Sequence, residues 1–166
     1  MPDFRIISGR TGPEDETERA SLVEALIHRA EDIATRYKLV SANLPYRAFR
    51  DQLLAEDIAA LAAQLAAATW KRIGDEVPSY AFAEKIGRRY RQARAPVSAL
   101  LLHWQILRRS IHLTLADGQI RTGQGSEETL RQGSLMNYTI DWATEASLVA
   151  YVISGDTRGA PTDTFD

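Results

Sequence analysis

The stretch APVSALLLHWQILRRSIHLTLAD, residues 95–117, decides the fold class of this chain. Its apolar side chains recur every three or four residues, which is the period of an α-helix, and Pro96 suits the first turn of one. Because two faces of this helix are apolar, it must be covered on two sides, and we expect it to be central. The first face comprises Val97, Leu100, Leu101, Trp104, Leu107, Ile111 and Leu115, and the second comprises Leu102, Ile106 and Leu113.

Helical periodicity continues on both sides of this segment, and no segment shows the alternation of a convincing strand. Breaks are predicted at Asn43-Leu44-Pro45, at GDEVPS (74–79), at Pro96 and at the glycine-containing loop 117–125. The sequence therefore predicts an all-α fold, a single helical bundle of about five helices, of which a globin-like arrangement is one form. The predicted helices lie near residues 17–38, 45–73, 80–94, 96–117 and 126–154.

The two ends of the chain differ from its centre in composition. Residues 1–16 contain glycines, a proline and acidic residues, which is typical of a flexible N-terminal arm. Residues 155–166, GDTRGAPTDTFD, are typical of a linker or a disordered tail. Between them, residues 17–154 are long enough for one helical domain with a substantial core.

Composition excludes several function classes. The 166 residues include no cysteine, which removes disulfides, thiolate nucleophiles and cysteine-ligated zinc. A formal net charge of -2 indicates no global attraction to nucleic acid or to an acidic membrane. The N-terminus lacks the apolar core of a signal peptide, and no apolar run approaches the roughly 20 residues that span a bilayer. We therefore expect a cytoplasmic chain with neither a membrane nor nucleic acid as its partner.

The residues with catalytic or metal-binding potential form no recognisable constellation. No serine lies in a Gly-x-Ser-x-Gly turn, and His28, His103 and His112 lack the Glu-x-x-His spacing of di-iron bundles. We predict no catalytic residue, no metal site and no cofactor. His103, beside Trp104 on the most apolar helix, is a weak candidate for a cofactor ligand, because a buried imidazole can hold a haem iron. A hydrogen-bonded structural histidine is the alternative interpretation.

Basic residues concentrate in the third predicted helix. Neither a helix-turn-helix pattern nor interleaved stacking aromatics accompanies them, so we interpret them as a solvated or salt-bridged face, or as a surface for another protein domain. They are Lys85, Arg88, Arg89, Arg91 and Arg94, followed in the next helix by Arg108 and Arg109.

The predicted helix 126–154 carries more apolar surface than one small core needs. We expect one face to fill the core and the other to pair with a second copy, because soluble domains seldom expose large apolar patches. The expected dimer face comprises Met136, Ile140, Ala143 and Tyr151. The expected core face comprises Leu135, Tyr138, Trp142, Ala146, Val149 and Ile153.

The segment GRRYRQARAPVSALLLHWQILRRSI, residues 87–111, resembles the N-terminal domain family of RsbT co-antagonist proteins (RsbRD N-terminal type), which also precedes bacterial histidine kinases. Arg91 matches the first arginine of the family pattern. Leu107, Arg108 and Ile111 match the end of that pattern, which is Leu-Arg-x-x-Ile. The chain departs from the pattern at three positions, with Gly87 in place of a histidine, Ala95 in place of a glycine and His103 in place of a glutamate.

This resemblance implies a non-catalytic sensory input domain, usually dimeric, that regulates a fused or partner output domain, either a histidine kinase or a STAS-type regulator. It also implies structural roles for the motif: Leu107 in the core, and Arg108 with its stem packed and its guanidinium paired. Two other hypotheses stay open at this point. One is a haem- or small-ligand-binding helical protein, and the other is a free-standing adaptor or scaffold.

Overall fold

The computed structural model describes residues 24–42, 58–73, 76–122 and 126–156. Within these ranges there is no strand, and the all-α helical bundle predicted from the sequence is confirmed. Residues 24–28 are helical and lead through a turn at Arg29 into α1. The helices are α1 (Ala30–Ser41), α2 (Ile58–Ile73), α3 (Ala81–Gln92), α4 (Val97–Thr122) and α5 (Ser126–Asp156).

One predicted helix end is wrong, and a second differs by two residues. Residues 117–122, expected in a loop, continue α4 as far as Thr122. A glycine inside a helix costs only about 1 kcal/mol relative to alanine, and Asp117 forms an ion pair with Arg36 of α1 that ties α4 to its neighbour here. At the other end, Gly155 and Asp156, assigned to the tail, belong to α5. The predicted arm 1–16 and residues 157–166 lie outside the described residues.

The helix α4 is central, as its two apolar faces predict. It packs against α1, α3 and α5, while α2 packs against α1 and α5. Its first face is buried at Leu100, Trp104, Leu107, Ile111 and Leu115, although Val97 and Leu101 near its N-terminus are partly exposed. The remaining core comes from the inward faces of the other helices: Leu26, Ile33, Tyr37, Ile58, Leu61, Leu65, Ala83, Ile86, Tyr90, Met136, Ile140 and Ala143.

The helices α3 and α5 approach each other closely where they cross at Gly87. A Cβ atom at Gly87 would lie 1.9 Å from the carbonyl oxygen of Ser147 and 2.8 Å from its carbonyl carbon. The face that α5 turns inward is accordingly narrow: Met136, Thr139, Ile140, Ala143, Ser147 and Ala150 are all buried. Helices approach this closely only where side chains are small.

The structure contradicts the predicted assignment of the core face and the dimer face of α5. Met136, Ile140 and Ala143, expected at a dimer interface, are fully buried inside the bundle. Tyr151 is part-buried, and its hydroxyl donates a hydrogen bond to the carbonyl oxygen of Ala95 (2.9 Å). The face expected in the core is instead largely exposed, with Tyr138, Trp142 and Val149 each about half accessible to solvent. Where α5 meets Gly87 the physical reason is steric, because a bulky side chain in place of Ser147 would hold α5 away from α3.

Candidate functional site

His103 lies in the second turn of α4 and is buried. Its Nδ1 atom is 2.7 Å from the hydroxyl oxygen of Tyr37 on α1, and its ring is bordered by those of Tyr37, Tyr90 and Trp104 at centroid distances of 5.5, 5.8 and 5.4 Å. Burial lowers the pKa of His103 to about 4, so the imidazole is neutral at pH 7. No described group hydrogen-bonds its Nε2 atom.

This environment accounts for His103 as a structural residue that links α1 to α4. Two surface clefts flank α5, and neither is lined by His103. A cofactor would need a cavity that reaches Nε2, so a ligand role for His103 stays a prediction. Among the described residues, no cluster of three or more histidine, aspartate or glutamate side chains could hold a metal ion.

A second buried polar contact joins α4 to α5. The indole nitrogen of Trp104 donates to Ser147 Oγ (2.8 Å), and that hydroxyl donates in turn to the carbonyl oxygen of Thr144 (2.7 Å). A similar pair joins α2 to α5, where the hydroxyls of Thr69 and Thr139 are 2.8 Å apart. Hydrophobic periodicity missed Ser147, Thr69 and Thr139, because small polar side chains do not add to an apolar stripe. The signal for Thr139 and Ser147 was the helical spacing of small residues along 139–150.

The residues of the family-like motif occupy three different environments. Leu107 and Ile111 are fully buried, as predicted for Leu107. Arg108 pairs with Asp141 of α5, which confirms that its guanidinium has an acidic partner, while its Nε atom is buried with no described partner. Arg91 lies over the ring of Tyr151, 5.3 Å from the centroid. The motif therefore does not converge on one site, since Arg91 is at the α3–α5 contact and the others line α4.

The most distinctive surface is the outer face of α5. Six exposed positions follow one another at spacings of three and four residues: Leu135, Tyr138, Trp142, Glu145, Val149 and Val152, here called the α5 seam. Alternating steps of three and four are the heptad pattern of coiled-coil helices. All six positions except Glu145 are large apolar or aromatic residues, and each of these five is between 36% and 58% exposed.

Neighbouring helices extend the α5 seam into a wider surface. The Arg72 guanidinium of α2 lies 4.1 Å from the centroid of Tyr138 and 5.0 Å from that of Trp142, which places a cation over both rings. A cleft of about 400 Å3 separates the α5 seam from α3 and is lined by Tyr80, Arg88, Trp142, Glu145 and Val149 among others. Burial raises the pKa of Tyr80, although the nearby Arg72 acts in the opposite direction.

None of the helices in the described ranges has both the length and the apolar character to cross a membrane. Comparison of the chain with models of protein families, with curated proteins and with solved structures finds no match.

Proposed function

We propose that this chain is a non-catalytic signal-transduction input domain that acts as a dimer. In this proposal, the α5 helices of two copies pair along the α5 seam, and a rearrangement of this pair regulates a fused or partner output domain, a histidine kinase or a STAS-type regulator. The resemblance of residues 87–111 to the RsbRD N-terminal family supports the functional class. The single observation that carries the proposal is the exposed heptad pattern on the last and longest helix.

The exposed area of the α5 seam is large enough for a dimer. A large side chain that is half exposed offers on the order of 100 Å2, so the five apolar members and the adjacent Ile153, which is 58% exposed, offer about 600 Å2 per copy. Pairing two copies would bury about 1,200 Å2, the lower end of the range for stable interfaces. A patch of this size is also unusual on a domain that works as a monomer.

Glu145 is the one acidic residue within the α5 seam, and a parallel pair would bring the two copies of Glu145 together. Arg88 lines the same cleft, and its ion pair is with Glu84. Because packed helices move between discrete arrangements, a seam with two like charges at its centre suits a helix pair that changes its register or its rotation.

The dimer is tested by sedimentation velocity of the wild type beside Val149→Asp and Leu39→Asp. Both residues are exposed apolar side chains, but Leu39 lies on α1, away from the α5 seam. We expect a dimer for the wild type and for Leu39→Asp, and a monomer with an unchanged circular dichroism spectrum for Val149→Asp. A wild-type monomer at about 100 µM, or a dimer that tolerates Val149→Asp, would contradict the proposal.

The orientation of the pair can be measured by disulfide crosslinking, since the chain has no cysteine of its own. A parallel pair places each seam residue beside its own copy, within reach of a disulfide. Single cysteines at Trp142, Val149 and Val152 should then all form homodimers on oxidation. Crosslinking confined to one of these positions would indicate crossed or antiparallel helices and would contradict the parallel pairing of the two α5 helices.

Signal transmission is tested with the whole chain joined at its C-terminus to the catalytic part of a histidine kinase. Inserted linkers of one to seven alanines rotate the output domain through one heptad. We expect kinase activity to rise and fall with linker length and to lose this dependence in Val149→Asp. An activity that ignores linker length would favour the free-standing adaptor.

A further inference from the structure

A second cleft, of about 380 Å3, lies where the turn between α3 and α4 meets the last turns of α5. Arg91, Gln92, Arg94, Pro96 and Tyr151 line it, and we call it the arginine cleft. Its volume is within the range of small-molecule sites. It lies outside the α5 seam, and its interpretation does not depend on the proposed signalling role.

The backbone of the arginine cleft is held in place from both sides. Arg94 has φ 55°, the left-handed conformation that reverses the chain at the end of α3. The amide of Ala95 donates to the carbonyl oxygen of Tyr90 (3.0 Å), and the carbonyl oxygen of Ala95 accepts the hydrogen bond from Tyr151. This turn is therefore anchored to α5, and the side chain of Arg94 projects from a fixed point.

The side chain of Arg91 is also confined. Its guanidinium lies over the ring of Tyr151 and against Gly155, where a Cβ atom would be 2.3 Å from Nη2. An arginine side chain loses conformational freedom when it is ordered. Because the contacts with Tyr151 and Gly155 already restrict Arg91, a ligand would bear less of that cost on binding.

Among the residues whose side chains the structure describes, no carboxylate compensates the charge of the cleft. Four other arginines in the described ranges, Arg29, Arg36, Arg88 and Arg108, each pair with a carboxylate. Arg91 and Arg94 have no such ion pair with a described side chain, and no described acidic side chain lines the cleft. Two guanidinium groups and the Gln92 amide thus offer hydrogen-bond donors around one space.

From this arrangement we propose that the arginine cleft binds a small phosphate monoester. A phosphate group carries close to two negative charges and three acceptor oxygens at neutral pH, which matches two guanidinium forks. Pro96 and the Tyr151 ring supply an apolar wall against which an organic group can pack. A monoester contacts both the guanidinium groups and the apolar wall, whereas inorganic phosphate contacts only the guanidinium groups.

The test is isothermal titration of the full chain with phenyl phosphate and with inorganic phosphate, at ionic strength matched with sodium chloride. The variants are Arg91→Gln and Arg94→Asn, because asparagine tolerates the left-handed backbone of position 94 better than most residues. Arg109→Gln removes one charge from an exposed position on α4 outside the cleft and is the matched control. Thermal unfolding of each variant checks that the bundle is intact.

We expect saturable binding of phenyl phosphate, tighter than that of inorganic phosphate. Each cleft variant should weaken it at least about tenfold, as expected for the loss of a charge-assisted contact, and Arg109→Gln should change it less than about twofold. No saturation by about 10 mM ligand, or an equal loss in Arg109→Gln, would overturn the site. Inorganic phosphate binding as tightly as phenyl phosphate would overturn the assignment to a monoester.

Discussion

The substitution Gly87→Ala measures how closely α3 and α5 approach. A helical glycine replaced by alanine normally gains about 1 kcal/mol of stability. Here the added Cβ would lie 1.9 Å from the carbonyl oxygen of Ser147 and 3.0 Å from its Cα. Ordinary van der Waals contact between carbon atoms is about 3.5 Å, so the two helices would have to separate by more than about 1 Å.

The obstructing atoms belong to the backbone of α5, so no change of rotamer can relieve the contact. Overpacking of this kind costs about 1–3 kcal/mol and occasionally more, and the upper end applies because a backbone must move. After subtraction of the gain in helix propensity, we expect Gly87→Ala to lower the free energy of unfolding by about 2 kcal/mol. For a chain of this size, that lowers the Tm by about 4–8 °C.

Urea unfolding followed by circular dichroism at 222 nm gives the free energy, and Gly155→Ala is the matched control. A Cβ atom at Gly155 would meet only the flexible end of the Arg91 side chain, so this variant should change stability by less than about 1 kcal/mol. If Gly87→Ala is as stable as the wild type or more so, the close crossing of α3 and α5 is refuted.

Three further predictions concern the buried residues of α4. For His103, the folded-state pKa of about 4 lies below the ordinary value of 6.5, so the unfolded chain binds the proton first as pH falls. The contribution of His103 to the free energy of unfolding is complete above about pH 6.5 and falls by about 3 kcal/mol towards pH 4. Urea unfolding across this range should show this pH dependence, and the variant His103→Leu should lack it. Leu107→Ala removes a fully buried side chain and should cost about 2–5 kcal/mol in the same assay, whereas a cost below about 1 kcal/mol would contradict its place in the core. Trp104→Phe leaves Ser147 without its indole donor and should lower the free energy of unfolding by about 1–3 kcal/mol. Adding Ser147→Ala should then restore part of this loss. A double variant whose loss equals the sum of the two single losses would contradict the hydrogen bond.

The sequence by itself determined the class of fold and most of the inward-facing residues. Apolar side chains at helical spacing and the lack of strand-like alternation leave other helices as their cover, so the all-α fold and the two-sided packing of α4 followed from pattern alone. Leu107 in the core also followed from this pattern, whereas an acidic partner for Arg108 was implied by the family resemblance. The end of α4 did not follow, since Gly118 predicted a break that the helix passes through.

Only the tertiary structure decided which face of α5 is inside. Trp142, Tyr138 and Val149 carry more apolar surface than Thr139, Ser147 and Ala150, yet the second set is buried. A stripe in the sequence depends on how much apolar surface a side chain carries, whereas the close crossing at Gly87 requires a small side chain at Ser147. Hydrogen bonds to Trp104 and Thr69 then offset the cost of burying the small polar groups. Away from this crossing Met136 and Ile140 are large and buried, so the steric limit applies where α5 meets the α3 backbone.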